Sequence, residues 1–175
     1  KISANLSAEN TLKIMAAIKR GIPGRARNGV YVVNEFLSSF GIDTTKYLMV
    51  DGSGVSHYDL LTTEIIIQLL AGMYERYDIF PLFFESLPIA GIDGTLRGRM
   101  KATPAEGNLR AKTGTISGVS SLSGYVRSRD GETLAFSMMM QNFIAPSRYF
   151  RQAQDSIGVL LARFSRNKVS MTASP

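Results

Sequence analysis

The sequence predicts an α+β fold, an antiparallel sheet packed against helices, on three observations. Apolar residues recur at helical spacing through the first half of the chain. From residue 108, three stretches rich in Val, Tyr, Phe, Met and Thr follow one another at the spacing of successive antiparallel strands. A last amphipathic stretch after Pro146 then supplies a helix to cover that sheet. With 175 residues, 45% hydrophobic and 19% charged, the chain is long enough for one domain and is neither wholly disordered nor a coiled coil. No repeat, low-complexity tract or linker divides it, so residues 1–166 read as one folded portion and 167–175 as a loose polar tail.

The elements follow in order. Leu6, Ile14 and Ile18, with Leu12 and Met15 beside them, predict a helix over residues 3–20 that Gly21-Ile22-Pro23-Gly24 stops. A second helix over about 29–41 carries Val30, Val33, Phe36, Leu37 and Phe40 on one side, with Gly41 as its cap. Residues 46–51 read as a short buried strand running into the turn Asp51-Gly52-Ser53-Gly54. Thr62 or Thr63 caps a third helix to about Met73, with Glu64 in its first turn, and a short fourth helix near 77–86 ends before Pro88. The strands are expected over 108–117, 119–128 and 133–142, the last two joined by Arg129-Asp130-Gly131-Glu132, whose Asp-Gly is a hairpin signal. The final helix, about 147–166, has Ile157, Leu160, Leu161 and Phe164 as its apolar seam.

Composition removes several chemistries. The chain has no cysteine, which excludes disulfides, thiol catalysis and Cys-based zinc sites. Its single histidine, His57, excludes a multi-histidine metal site and disfavours a Ser-His-Asp triad. No cofactor is expected. The longest apolar run, around Ile65 to Gly72, is broken by Gln68 and is far too short to span a membrane. The net charge is +6, and Arg97, Arg99, Lys101, Arg110 and Arg127 make the middle basic. A solvated face explains that charge, as does attraction to an anionic polymer; no aromatic-basic motif points to nucleic acid. Met138-Met139-Met140 reads as core, and Asp51 and Asp93, each before a glycine, read as turn formers.

Two short motifs could carry chemistry. Lys112-Thr113-Gly114, followed by Thr115, sits on the first strand of the meander. An edge-strand lysine that discourages aggregation would look the same. In a site, the lysine supplies positive charge beside a substrate anion and the two threonine hydroxyls hydrogen-bond a carboxylate. Gly114 then clears room for an extended ligand, and the Thr115 N–H is available for a developing oxyanion. Ser3-Ala4-Asn5 puts a hydroxyl and an amide two residues apart, a pattern that an ordinary helix N-cap also satisfies.

Taken together with the text between them, these motifs resemble a known family. Asn5-Leu6-Ser7-Ala8-Glu9-Asn10 entering a helix, Val50-Asp51-Gly52-Ser53-Gly54-Val55-Ser56, Leu87 to Leu96 and Ala111 to Val119 carry the likeness across nearly the whole chain. The chain resembles the C-terminal portion of D-alanyl-D-alanine carboxypeptidases/endopeptidases of the class C low-molecular-weight penicillin-binding group, the penicillin-binding protein 4 (DacB) type. Ser3-Ala4-Asn5 matches the second and Lys112-Thr113-Gly114 the third of the three motifs that such serine enzymes share with β-lactamases. The resemblance implies the C-terminal part of the serine β-lactamase/DD-peptidase-like fold. It implies acyl transfer through a serine ester on peptidoglycan stem peptides, with β-lactams acylating the same serine, in the periplasm or another extracytoplasmic compartment of the bacterial cell envelope.

By the same resemblance, Ser3 sits in the proton relay toward the leaving amine and Asn5 binds the substrate amide carbonyl. Lys112 polarises that relay and faces the terminal carboxylate, Thr113 and Thr115 hold that carboxylate beside Gly114, and the Thr115 N–H is half of an oxyanion hole. One part is out of place. The family's nucleophile motif, S-x-x-K, precedes Ser-x-Asn, and only two residues do so here; the chain's one match, Ser165-Arg166-Asn167-Lys168, comes after the Lys-Thr-Gly strand and reads as chance. The chain begins Lys-Ile-Ser-Ala-Asn, and reads as a piece of something longer that starts inside or beside a helix. The expected partner is therefore an N-terminal part of the same protein that supplies the nucleophilic serine, without which this chain does not turn over substrate and its sheet exposes an unpaired edge and apolar surface. Two other readings stay open: a recognition module that binds peptidoglycan stems or a partner without cleaving them, and a serine β-lactamase.

Overall fold

The computed structural model describes residues 1–166. The expected loose tail, 167–175, lies outside the described residues. Five helices and three strands occur in the order α1 (Asn5–Arg20), α2 (Ala26–Ser38), α3 (Thr63–Glu75), α4 (Phe80–Ser86), β1 (Arg110–Ile116), β2 (Val119–Arg127), β3 (Thr133–Gln141) and α5 (Ser147–Arg163), with a single 3₁₀ turn at Gly94–Leu96. The α+β class is as the sequence predicts.

The sheet is an antiparallel meander in the order β1-β2-β3, with Lys112 opposite Ser123 and Ser123 opposite Ser137. Alternation along β2 sends its side chains to two faces. Leu122 and Val126 join Phe136, Ala111 and Leu109 in a core closed by Ala162 of α5. Tyr125, on the opposite face, packs with Leu70 and Leu87, and its hydroxyl donates to the Leu70 carbonyl at 2.6 Å. The helices thus cover the sheet from both sides. A third cluster, Leu37, Ile42 and Ile65, ties α2 to α3. Asn108 precedes β1 yet extends its pairing: its side chain accepts from the Arg127 N–H at 3.0 Å and donates to the Arg127 carbonyl at 2.8 Å. Thr62 caps α3 by accepting from the Ile65 N–H.

Three expectations need correction. Residues 46–51 form no strand but one isolated bridge, Leu48 with Leu60. The Val50 N–H donates to Asp59 Oδ1 instead of continuing a ladder, and Leu48 and Val50 stay exposed. On α5 the buried residues are Gln154, Gly158 and Ala162; of the expected seam Leu161 packs against the core, while Ile157, Leu160 and Phe164 are exposed. Small residues let this helix close on the sheet: a Cβ at Gly158 would stand 2.8 Å from Leu109 Cδ1. On α1, Leu12 and Ala16 are buried, whereas Leu6, Ile14 and Ile18 face outward. The face of α1 that packs is chosen by α2, whose Gly29 lies directly on the Leu12 backbone. The outward face of α1 is thus apolar, and among the described residues the outer edge of β3 pairs with no strand.

Candidate active site

The segment before α1 is held against the turn that contains the 3₁₀ residues. Lys1 Nζ lies 2.7 Å from Asp93 Oδ2, and the Lys1 carbonyl accepts from the Thr95 N–H at 3.2 Å. Asp93 Oδ1 accepts from the Ile89 N–H at 2.8 Å. The Lys1 ammonium, and then that N–H, hold the Asp93 carboxyl below the usual carboxylate range. Gly94 has a φ of 53° and a Cβ there would sit 2.6 Å from the Lys1 carbonyl oxygen, so the expected Asp-Gly turn is also a dock for the N-terminal segment. Two residues on, Ser3 has a φ of 57°, a left-handed conformation that costs a non-glycine residue about 1–2 kcal/mol.

That conformation aims Ser3 at β1. Its Oγ accepts from Lys112 Nζ at 2.8 Å across 109 residues of sequence, and Lys112 Nζ also donates to the Thr113 carbonyl at 2.6 Å. Crowding by protein atoms pushes the Lys112 ammonium below the ordinary lysine pKa. Thr113 Oγ1 donates to Thr95 Oγ1 at 2.8 Å, which links β1 to the same turn that docks Lys1. Gly114 lines the groove as expected, but a Cβ there would run into Ser121 Oγ on the neighbouring strand, so packing within the sheet also calls for glycine.

A loop closes the third side. Asp51 Oδ1 accepts from the Gly54 N–H at 2.6 Å and Oδ2 from the Ser56 N–H at 2.8 Å. Burial opposes ionisation of Asp51, but these N–H donors outweigh it and lower its pKa. Glu9 of α1 accepts from the Gly52 and Ser53 N–H groups at 3.0 and 2.9 Å, and a Cβ at Gly52 would stand 2.8 Å from the Ala8 carbonyl oxygen. The helix that begins at Asn5 therefore carries its own brace for the loop.

These elements enclose a groove of about 480 Å³ lined by Ser3, Asn5, Lys112, Thr113, Gly114 and Thr115, with Ser53 to Val55 on one wall. All six residues singled out from the sequence meet there. Sequence reasoning passed over Glu9 and Thr95 and gave Arg99 to a solvated basic face; Arg151 was not considered. Arg99 and Arg151 also line the groove. The Arg99 side chain is only 12% exposed: its guanidinium lies 2.8 Å from Asp155 Oδ1 and donates to Gln154 Oε1 at 3.1 Å and to the Arg151 carbonyl at 3.2 Å. These contacts join residues 52 to 56 positions apart, so no local sequence pattern signals them.

His57 is exposed outside this groove, as expected of a loop histidine. Ser165 donates to Asp130 Oδ2 at the β2–β3 hairpin and is not among the groove residues, in keeping with a chance S-x-x-K match; Lys168 lies outside the described residues. Among the described residues no cluster of His, Cys, Asp or Glu could hold a metal ion, and no helix is long and apolar enough to cross a membrane.

Comparison with known proteins places the chain beside one group of peptidases. The profile of the D-Ala-D-Ala carboxypeptidase 3 (S13) family matches residues 1–164. A D-alanyl-D-alanine carboxypeptidase of Actinomadura sp. (strain R39) is 39% identical over 170 residues, covering 94% of this chain and 31% of that protein. The D-alanyl-D-alanine carboxypeptidase DacB of Haemophilus influenzae is 30% identical over 145 residues, covering 82% and 30%. The crystal structure of penicillin binding protein 4 (dacB) from Haemophilus influenzae, complexed with a novel β-lactam, superposes with a TM-score of 0.84 at 26% identity, covering 94% of this chain and 40% of that one. The chain spans about a third of the length of the curated relatives it matches.

Proposed function

Since the chain belongs to the D-Ala-D-Ala carboxypeptidase 3 (S13) family, we propose that it is the C-terminal portion, residues 1–166, of the catalytic domain of a serine-type D-Ala-D-Ala carboxypeptidase that acts on peptidoglycan stem peptides at the bacterial cell envelope. The observation that carries this reading is the 2.8 Å hydrogen bond from Lys112 to Ser3 inside a groove that also holds Asn5, Thr113 and Thr115.

On this reading a nucleophilic serine, on a segment that precedes Ser3, attacks the carbonyl carbon between the two terminal D-alanines. The Asn5 amide holds the neighbouring substrate carbonyl, and the Thr115 N–H donates to the oxyanion as the tetrahedral intermediate forms. The C–N bond then breaks, and the leaving amine takes its proton by way of Ser3 Oγ. Lys112, bonded to that oxygen, keeps the hydroxyl oriented and supplies positive charge; its lowered pKa suits a group that exchanges hydrogen bonds and protons. The Thr113 and Thr115 hydroxyls donate to the terminal carboxylate. Water hydrolyses the serine ester and frees the enzyme, and a β-lactam traps it at the ester stage.

The test is labelling by a fluorescent penicillin together with release of D-alanine from a stem peptide. The protein joined to its preceding segment is expected to label and to release D-alanine, whereas residues 1–175 alone label with neither. A joined protein with its serine intact that stays unlabelled overturns the enzymatic reading and leaves a binding module.

A further inference from the structure

The groove has two ends, one on each side of the β1 border. Side chains alternate along a strand, so Lys112, opposite Ser123, points to the face where it meets Ser3, while Thr113 and Thr115, opposite Leu122 and Ser120, point toward α5. On that second side, Arg99 and Arg151 line the groove with the two threonines. Three cations and no carboxylate stand in the groove wall, a field that draws an anion into it.

The three cations differ in what they already hold. Lys112 is engaged by Ser3 Oγ and the Thr113 carbonyl. Arg99 is matched by Asp155, Gln154 and a backbone carbonyl and is largely buried. The Arg151 side chain is exposed, and among the described residues it forms no ion pair or side-chain hydrogen bond; it stands in the field of Asp155, one helical turn on, which Arg99 already neutralises. A guanidinium offers a planar pair of donors that fits a carboxylate through two parallel hydrogen bonds, which two neutral hydroxyls cannot replace.

Resting on the acyl-transfer reading above, we propose that Arg151 is the charged anchor for the C-terminal carboxylate of the substrate and so selects chains that end in a free acid, with Thr113 and Thr115 as its neutral partners. The substrate lies extended along β1, its scissile bond at the Ser3–Lys112 end and its carboxylate at the Arg151 end.

The test uses the full-length protein and two acylated D-Ala-D-Ala peptides, one with a free C-terminal carboxylate and one with a C-terminal amide. The wild type is expected to favour the acid. In Arg151→Gln the acid-to-amide ratio of kcat/KM falls about tenfold or more, through KM for the acid, and Arg151→Lys recovers part of it. Arg148→Gln, on the same helix but outside the groove, keeps the wild-type ratio and controls for surface charge. An unchanged ratio in Arg151→Gln, or equal losses on both peptides, overturns the inference while leaving the acyl-transfer reading intact. A wild type that cleaves neither peptide overturns both.

Discussion

Replacing Gln154 by leucine keeps the volume of a fully buried side chain and removes its two hydrogen bonds. Gln154 is 0% exposed; its Nε2 donates to Ser120 Oγ at 3.2 Å and its Oε1 accepts from Arg99 at 3.1 Å. Ser120 is 1% exposed, so its hydroxyl would be left without that donor inside the core, at a cost of about 1–3 kcal/mol. Arg99 retains Asp155 and the Arg151 carbonyl, so its share of the loss is about 1 kcal/mol. The expected destabilisation of Gln154→Leu is therefore about 2–4 kcal/mol. Adding Ser120→Ala removes the orphaned hydroxyl and should return about 1 kcal/mol. Urea unfolding reads both: with an m-value of about 2 kcal/mol/M, the single variant shifts the midpoint down by about 1–2 M. A single variant within about 0.5 kcal/mol of wild type, or a double variant no more stable than the single, would refute the reasoning that this buried hydrogen bond holds α5 to β2 at a net gain in stability.

Glu9→Ala leaves the Gly52 and Ser53 N–H groups without their carboxylate, and in this half-buried setting it should cost about 2 kcal/mol and slow penicillin acylation, with Glu9→Gln in between; thermal unfolding and acylation kinetics check both, and a neutral Glu9→Ala contradicts the brace. Gly29→Ala should destabilise by about 1–2 kcal/mol although alanine favours a helix by about 1 kcal/mol, because the new methyl runs into the Leu12 carbonyl; a stabilised variant means the helices can separate at no cost. The Asp130 carboxyl is held down to about 2, first by the Ser128 hydroxyl and then by the Arg166 N–H. Because its folded value lies below the unfolded value of about 3.9, its contribution is complete above that pH and is lost as pH falls through about 2. A carboxyl NMR titration should give that low midpoint, and a midpoint near 3.9 contradicts the hairpin contacts.

What was legible in the sequence was the part governed by local rules. The Asp130-Gly131 turn and β-rich runs located the meander to within two residues at each strand end, and Thr62 marked the start of α3. The six groove residues were picked out by motif, although their meeting depends on contacts 109 residues apart. What periodicity missed was which apolar face is used. On α5 it pointed to Ile157, Leu160 and Phe164, yet the glycine and alanine at 158 and 162 win because a close approach to Leu109 buries more sheet surface than a bulky seam held at a distance. On α1 the same competition favours Leu12 and Ala16, set by the close approach of Gly29. Residues 46–51 have strand composition but no neighbour to pair with beyond Leu60. Arg99 read as part of a solvated basic face and Arg151 carried no signal, because a basic surface and a lined groove have the same composition until the chain is folded.

The measurement that bears most directly on the account is a Ser3→Ala and Lys112→Met cycle, read as the acylation rate of the full-length protein by a fluorescent penicillin. If the two side chains work as one unit, each single change lowers the rate about 10²–10⁴-fold and the double variant is no slower than the slower single. Wild-type acylation by either variant, or losses that multiply in the double variant, would contradict it.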